Sequence, residues 1–184
     1  REDAGEEKKF RKRKVAVMVV VLVVVLVVSI PLVMLMNASE DTKYFTIHDG
    51  HSRSGSLVVT SQETFIDTQL NATGNLIVRP GGTLVMENTT VTWNLTRKGS
   101  AGLYVEDGGS LTARNCTFNG VDATSTYRCE LDGRAVFTGC TFRNQWGDPD
   151  ELVGQGGIEI YCDDVVLEGC DIGGAETSGI VVGD

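Results

Sequence analysis

The sequence predicts an all-β solenoid, a parallel β-helix with coils of about 24–30 residues, preceded by one transmembrane α-helix. Three observations predict it: an apolar run behind a cluster of bases, a repeat that recurs without a gap, and a column of Asn and Gly at the same place in each repeat. The composition agrees. Of 184 residues, 22 are Gly and only 3 are Pro, and the hydrophobic share of 41% is spread unevenly. That excludes a helical bundle or coiled coil, and the net charge of −9 argues against a nucleic-acid partner.

The apolar run is Val15–Met36, in which only Ser29 and Pro31 are not apolar. As a helix it would be about 33 Å long, enough to cross a bilayer core of about 30 Å. Val is a poor helix former in water, but in lipid the backbone must satisfy its own hydrogen bonds. Lys8, Lys9, Arg11, Lys12, Arg13 and Lys14 stand just ahead of it. Bases stay on the cytoplasmic side, so the chain from Asn37 onward is expected outside the cell, in a single-pass protein of the cell membrane. The expected organisation is a cytoplasmic stub at 1–14, a membrane helix at 15–36, a linker or stalk at 37–55 and the β-helix at 56–184. A cleaved signal peptide is the rival. It would have an apolar core of about 7–15 residues and small residues before the cut, which Met36-Asn37-Ala38 does not supply. Either reading exports the remainder. The first residue is Arg1 and Asp184 falls within a strand pattern, so the chain is expected to be part of a longer one.

The repeat begins at Asn75–Val91, matches Gly102–Phe118 without a gap, and returns at Tyr127–Phe142 and Gly157–Ile172. Gly179–Asp184 starts one more, and a less regular turn is expected within 56–71. Each unit alternates apolar and polar residues, the pattern of a half-buried strand. Four inward columns are expected. One is Leu76, Leu103, Tyr127, Ile158 and Ile180. The second is Val78, Val105, Cys129, Ile160 and Val182. The third is Met86, Ala113, Phe137 and Leu167, and the fourth is Val91, Phe118, Phe142 and Ile172. Asn88, Asn115, Gly139 and Gly169 form a turn column. Gly takes positive φ without steric cost and Asn is enriched there, so a left-handed bend is expected in every coil. Right-handed crossovers are strongly favoured for parallel strands.

Gly-Gly-Ser-Leu-Thr-Ala-Arg-Asn-Cys-Thr-Phe (108–118) and Gly-Ile-Glu-Ile (157–160) resemble the parallel β-helix repeats of the pectin-lyase-like superfamily. The resemblance spans about Ser56 to Asp184. The chain also looks like the membrane-anchored or secreted β-helix surface proteins of prokaryotes, archaea included. It implies a right-handed β-helix but no single activity, because the superfamily holds lyases, hydrolases, epimerases, tailspikes and adhesins. None of their catalytic motifs matches residue by residue, so the catalytic residues are unknown.

Cys116, Cys140 and Cys170 occupy one column after the bend, with Thr89 below them. Neighbouring coils would bring their Cα atoms to about 4.8 Å. That fits a buried ladder of small apolar residues or, in an oxidising compartment, a disulfide within the column. Cys129 lies in an inward column and Cys162 at a turn. Of the five Asn-X-Ser/Thr sequons, Asn71 and Asn94 are the better glycosylation candidates, because Asn88 and Asn115 serve the bend and Asn37 lies against the membrane. Glu106, Asp107, Glu130, Asp132, Asp163 and Asp164 fall near one turn. Stacked carboxylates there would form a solvated edge or hold calcium. His48 and His51 read as linker.

The variable loops at 92–101, 119–126, 143–156 and 173–178 follow the same strand, so they project from one side. Trp93, Arg97 and Lys98, with Trp146, Asp148, Asp150 and Glu151, are the candidate glycan-binding face; the alternative role for Trp146 is to cover apolar core at a loop base. The function expected is surface display, adhesion or binding of a polysaccharide or envelope glycan. The alternative is an extracellular polysaccharide lyase, with a base beside calcium, or a glycoside hydrolase with paired carboxylates.

Overall fold

The computed structural model describes residues 44–47, 52–147 and 156–183. The expected stub and membrane helix lie outside these residues. Among the described residues no helix is long and apolar enough to cross a membrane.

Two strands stand first, β1 (Tyr44–Ile47) and β2 (Ser52–Ser54). Three parallel sheets then run along the solenoid. The first holds β3 (Leu57–Val59), β6 (Leu76–Val78), β9 (Gly102–Val105), β12 (Arg128–Leu131), β15 (Ile158–Ile160) and β18 (Ile180–Val182). The second holds β4 (Gln62–Ile66), β7 (Thr83–Glu87), β10 (Ser110–Arg114), β13 (Arg134–Thr138) and β16 (Val165–Glu168). The third holds β5 (Gln69–Ala72), β8 (Thr90–Trp93), β11 (Thr117–Gly120), β14 (Thr141–Arg143) and β17 (Asp171–Gly173). Each coil contributes one strand to each sheet. The earliest coil lies where a less regular turn was expected.

The stretch expected as a linker contains β1 and β2. Strand β1 pairs antiparallel with β5, and β2 with β1. They cover the backbone edge that β5 would otherwise present, and an open strand edge invites pairing with another chain.

The third and fourth columns hold as expected: Met86, Ala113, Phe137 and Leu167 are register partners, as are Val91, Phe118, Phe142 and Ile172. The first two need a correction in the fourth coil. Cys129, not Tyr127, is the partner of Leu103, and Leu131, not Cys129, is the partner of Val105. The cause is a shorter turn. Glu106–Gly109 joins β9 to β10, whereas only Asp132 and Gly133 join β12 to β13. A slip of two residues leaves every side chain on its own face, so alternation alone does not detect it.

The inward residues fill one continuous core that contains Leu57, Leu84, Met86, Leu111 and Phe118. Phe118, Phe137 and Phe142 meet there, with Phe118 stacked on Phe142 at 5.1 Å and Phe137 edge-on to both. The bend column is left-handed throughout, with φ of 49° at Asn88, 52° at Asn115, 62° at Gly139 and 60° at Gly169. Asp67 begins the column at φ 50°. The amide of Asn88 donates to the Asp67 carboxylate at 3.1 Å, tying one bend to the next.

Candidate functional site

The outward residues of the first sheet make a different surface. Val58, Ile77, Tyr104, Glu130, Glu159 and Val181 are successive register partners, one per coil. A cavity of about 300 Å³ opens over the middle of this column, with Ile77 and Tyr104 as its apolar lining. Asn75, Glu106, Glu130 and Asp132 supply its polar rim. The volume is at the lower end for a small-molecule site, about 300–1,000 Å³.

The electrostatics are one-sided. Burial raises the Glu130 carboxyl above the ordinary glutamate range, and Asp132 and Glu159 push it further, against a lesser pull from Arg128. Burial likewise raises the Tyr104 phenol. Glu159 is only 8% exposed, and its carboxylate accepts from the Gly156 N–H at 3.0 Å and the Tyr161 hydroxyl at 3.2 Å. Arg79 lies 3.9 Å from Glu106. Arg128 is engaged elsewhere: its guanidinium lies 3.9 Å over the Trp146 ring, and its Nε donates to the Gly99 carbonyl at 3.1 Å.

A family model described as a right-handed β-helix region matches residues 74–184. The chain belongs to the right-handed β-helix family. No curated protein and no solved structure matches it.

This β-helix removes Trp93 from the glycan face expected on the loops. Trp93 is fully buried, stacked on Tyr127, with its Nε1–H donating to the Gly74 carbonyl at 3.1 Å. It is the last residue of β8, two beyond inward Val91, so it points inward as well. Trp146 is half-buried between Arg128 and Gly99; a Cβ added to Gly99 would lie 2.7 Å from the indole. It joins the 143–156 loop to Gly99 of the 92–101 loop. Arg97 and Lys98 are exposed, and Lys98 pairs with Glu176 of the 173–178 loop. Asp148, Asp150 and Glu151 lie outside the described residues.

The acidic turn is also rearranged. Asp132 follows Leu131 as Glu106 follows Val105, but Tyr161 occupies the equivalent place after Ile160. Asp163 and Asp164 come later in the turn, with the Asp164 carbonyl accepting from Ala135 N–H beside β13. Asp107 is exposed. Among the described residues, no group of three or more His, Cys, Asp or Glu is arranged to hold a metal ion.

All five cysteines are free. Cys116 and Cys140 are buried and Cys170 is half-buried, in the ladder expected of small apolar residues. Their thiols donate to backbone carbonyls, Cys116 to Arg114 at 3.2 Å and Cys140 to Ala113 at 3.4 Å. Thr89 extends the ladder, its hydroxyl donating to the Glu87 carbonyl at 2.9 Å. Asn71 and Asn94 are exposed, whereas the Asn88 amide is held by Asp67.

Sequence reasoning missed the groove over Ile77 and Tyr104, and Glu159 next to Glu130 in the same column. The signal was the polar half of the alternation. The inward half defines the core, and the outward half of the same strands defines this surface.

Proposed function

We propose that this β-helix is displayed outside the cell and binds a glycan across the outer face of its first sheet. The cavity over Ile77 and Tyr104 is the observation that carries this reading. A sugar presents apolar C–H faces and a ring of hydroxyls, and the groove offers the complement: an aromatic and aliphatic floor with a carboxamide and carboxylates at the rim. Anchorage by Val15–Met36 would present the solenoid to envelope glycans.

The test uses the full chain in detergent micelles, retained on immobilised polysaccharides. Retention is expected, and Tyr104→Ala is expected to lose it while keeping the β-sheet circular dichroism signal. Equal retention of parent and variant removes the groove from the function. A tag placed after Asp184 is expected to be cleaved by protease added to intact cells; protection would reverse the orientation.

A second reading, glycoside hydrolysis, has one observation in its favour. Glu130 is held toward its protonated form beside Asp132 and Glu159, as a general acid requires. Glu130→Gln would then abolish release of reducing ends while binding persists.

A further inference from the structure

The groove has a charge as well as a shape, and the charge narrows the ligand. We infer that it selects glycans bearing protonated amino groups over glycans bearing carboxylates. This rests on the glycan reading above. Glu106, Glu130 and Asp132 line the cavity, and Glu159 stands behind Glu130 in the same column. The cations nearby do not balance them. Arg79 faces Glu106 at the edge, both well exposed, where an ion pair contributes little. The Arg128 guanidinium is spread over Trp146 and bonded to Gly99.

An ammonium group answers this arrangement on three counts. It supplies the missing positive charge to carboxylates that repel one another. It carries three donors on a compact head, so it can bond Glu130 and Asp132 without demanding a fixed coordination shell. Calcium would need six to eight oxygens around one point, and among the described residues no such convergence exists. A uronate, in contrast, would bring a fourth negative charge to the lining of a partly desolvated pocket, where like charges disfavour one another most. The floor of Ile77 and Tyr104 is indifferent to charge and takes the face of the sugar ring in either case.

The test compares three probes against the full chain in detergent micelles, by titration calorimetry at a pH where amines are protonated. The probes are a β-1,4-linked glucosamine hexamer, its fully N-acetylated counterpart and a galacturonate hexamer. The glucosamine hexamer is expected to bind about tenfold more tightly than the acetylated one, the equivalent of one charge-assisted hydrogen bond, and the galacturonate hexamer not at all. The double variant Glu130→Gln, Asp132→Asn is expected to abolish the preference, so that the glucosamine and acetylated hexamers bind alike. Tyr104→Ala is expected to lose both. Equal binding of the amino and acetylated sugars, or preference for the uronate, overturns the charge selection and leaves the glycan reading standing. Failure of the parent chain to bind any of the three probes overturns the selection, and loss of polysaccharide retention as well would remove the glycan reading.

Discussion

The indole of Trp93 lies flat on the phenol of Tyr127, with ring centroids 4.3 Å apart and planes 8° apart. Both polar ends are satisfied: Trp93 Nε1–H donates to the Gly74 carbonyl and the Tyr127 hydroxyl to the Phe118 carbonyl at 3.0 Å. The pair therefore joins three coils through rings and hydrogen bonds together. Trp93→Ala is expected to cost about 3–5 kcal/mol, the range for emptying a buried aromatic site. Tyr127→Phe keeps the ring and leaves the Phe118 carbonyl without this donor, at a cost of about 1–3 kcal/mol. Denaturant melts of the two variants check the order. A Trp93→Ala chain as stable as its parent would contradict the buried stack.

The bends make a sharper comparison, because one position can be tested for backbone and side chain separately. Asn115 holds φ at 52°, a region that costs most side chains about 1–2 kcal/mol. Asn115→Ala is expected to lose about that much stability, while Asn115→Gly loses less. At the next bend the constraint comes from a neighbour as well. A Cβ on Gly139 would lie 2.8 Å from the Asn115 side-chain oxygen, and φ there is 62°. Gly139→Ala should therefore be destabilising in the parent and less so in the Asn115→Gly background. Additive losses in thermal melts would show that the two bends do not touch.

The columns that could be read in the sequence were those on either side of the bend, where the spacing inside each repeat does not change. Met86, Ala113, Phe137 and Leu167 each stand the same distance ahead of Val91, Phe118, Phe142 and Ile172, although the repeats themselves differ in length. Tyr127 was misplaced because a turn two residues shorter preserves the face of every side chain and changes only its neighbour. That slip mattered for the site: it set Arg128 beneath Tyr104, where the register places Glu130. Trp93 was taken for a loop residue although its spacing from Val91 already pointed it inward. The approach of Trp146 to Gly99 was out of reach, since the contact joins loops whose lengths follow no repeat.

Glu130 links the groove to stability, and the sign follows from its raised pKa. The folded chain holds this proton more tightly than the unfolded chain, because burial and then Asp132 and Glu159 disfavour the carboxylate. Its contribution to stability is fully present below the unfolded value, about 4.3, and is lost as pH rises through the folded value. Glu130→Gln, which stays neutral, is expected to be more stable than the parent at pH 7. The difference should close as pH falls below about 4. Denaturant midpoints at both pH values check this. A variant less stable than the parent at pH 7 would mean that the carboxylate is favourably paired.

The five cysteines separate two controls on thiol reactivity, acidity and access. The Cys116 thiol has its pKa lowered to about 7, chiefly by the hydrogen bond with Cys140. Acidity alone would make it the first to react. Yet Cys116 and Cys140 are each 1% exposed, and Cys129 is 2% exposed. Cys162 and Cys170 are half-buried, and burial raises the Cys170 thiol, which slows it further. Access should therefore decide the order. With a disulfide reagent at pH 8, Cys162 is expected to react first and Cys170 next, while Cys116, Cys129 and Cys140 wait for denaturant. Peptide mass mapping of a labelling time course reads the order directly. Rapid labelling of Cys116 in the folded chain would show that the coil stack opens at that column, and a native chain with fewer than five titratable thiols after unfolding would show that the column closes into a disulfide.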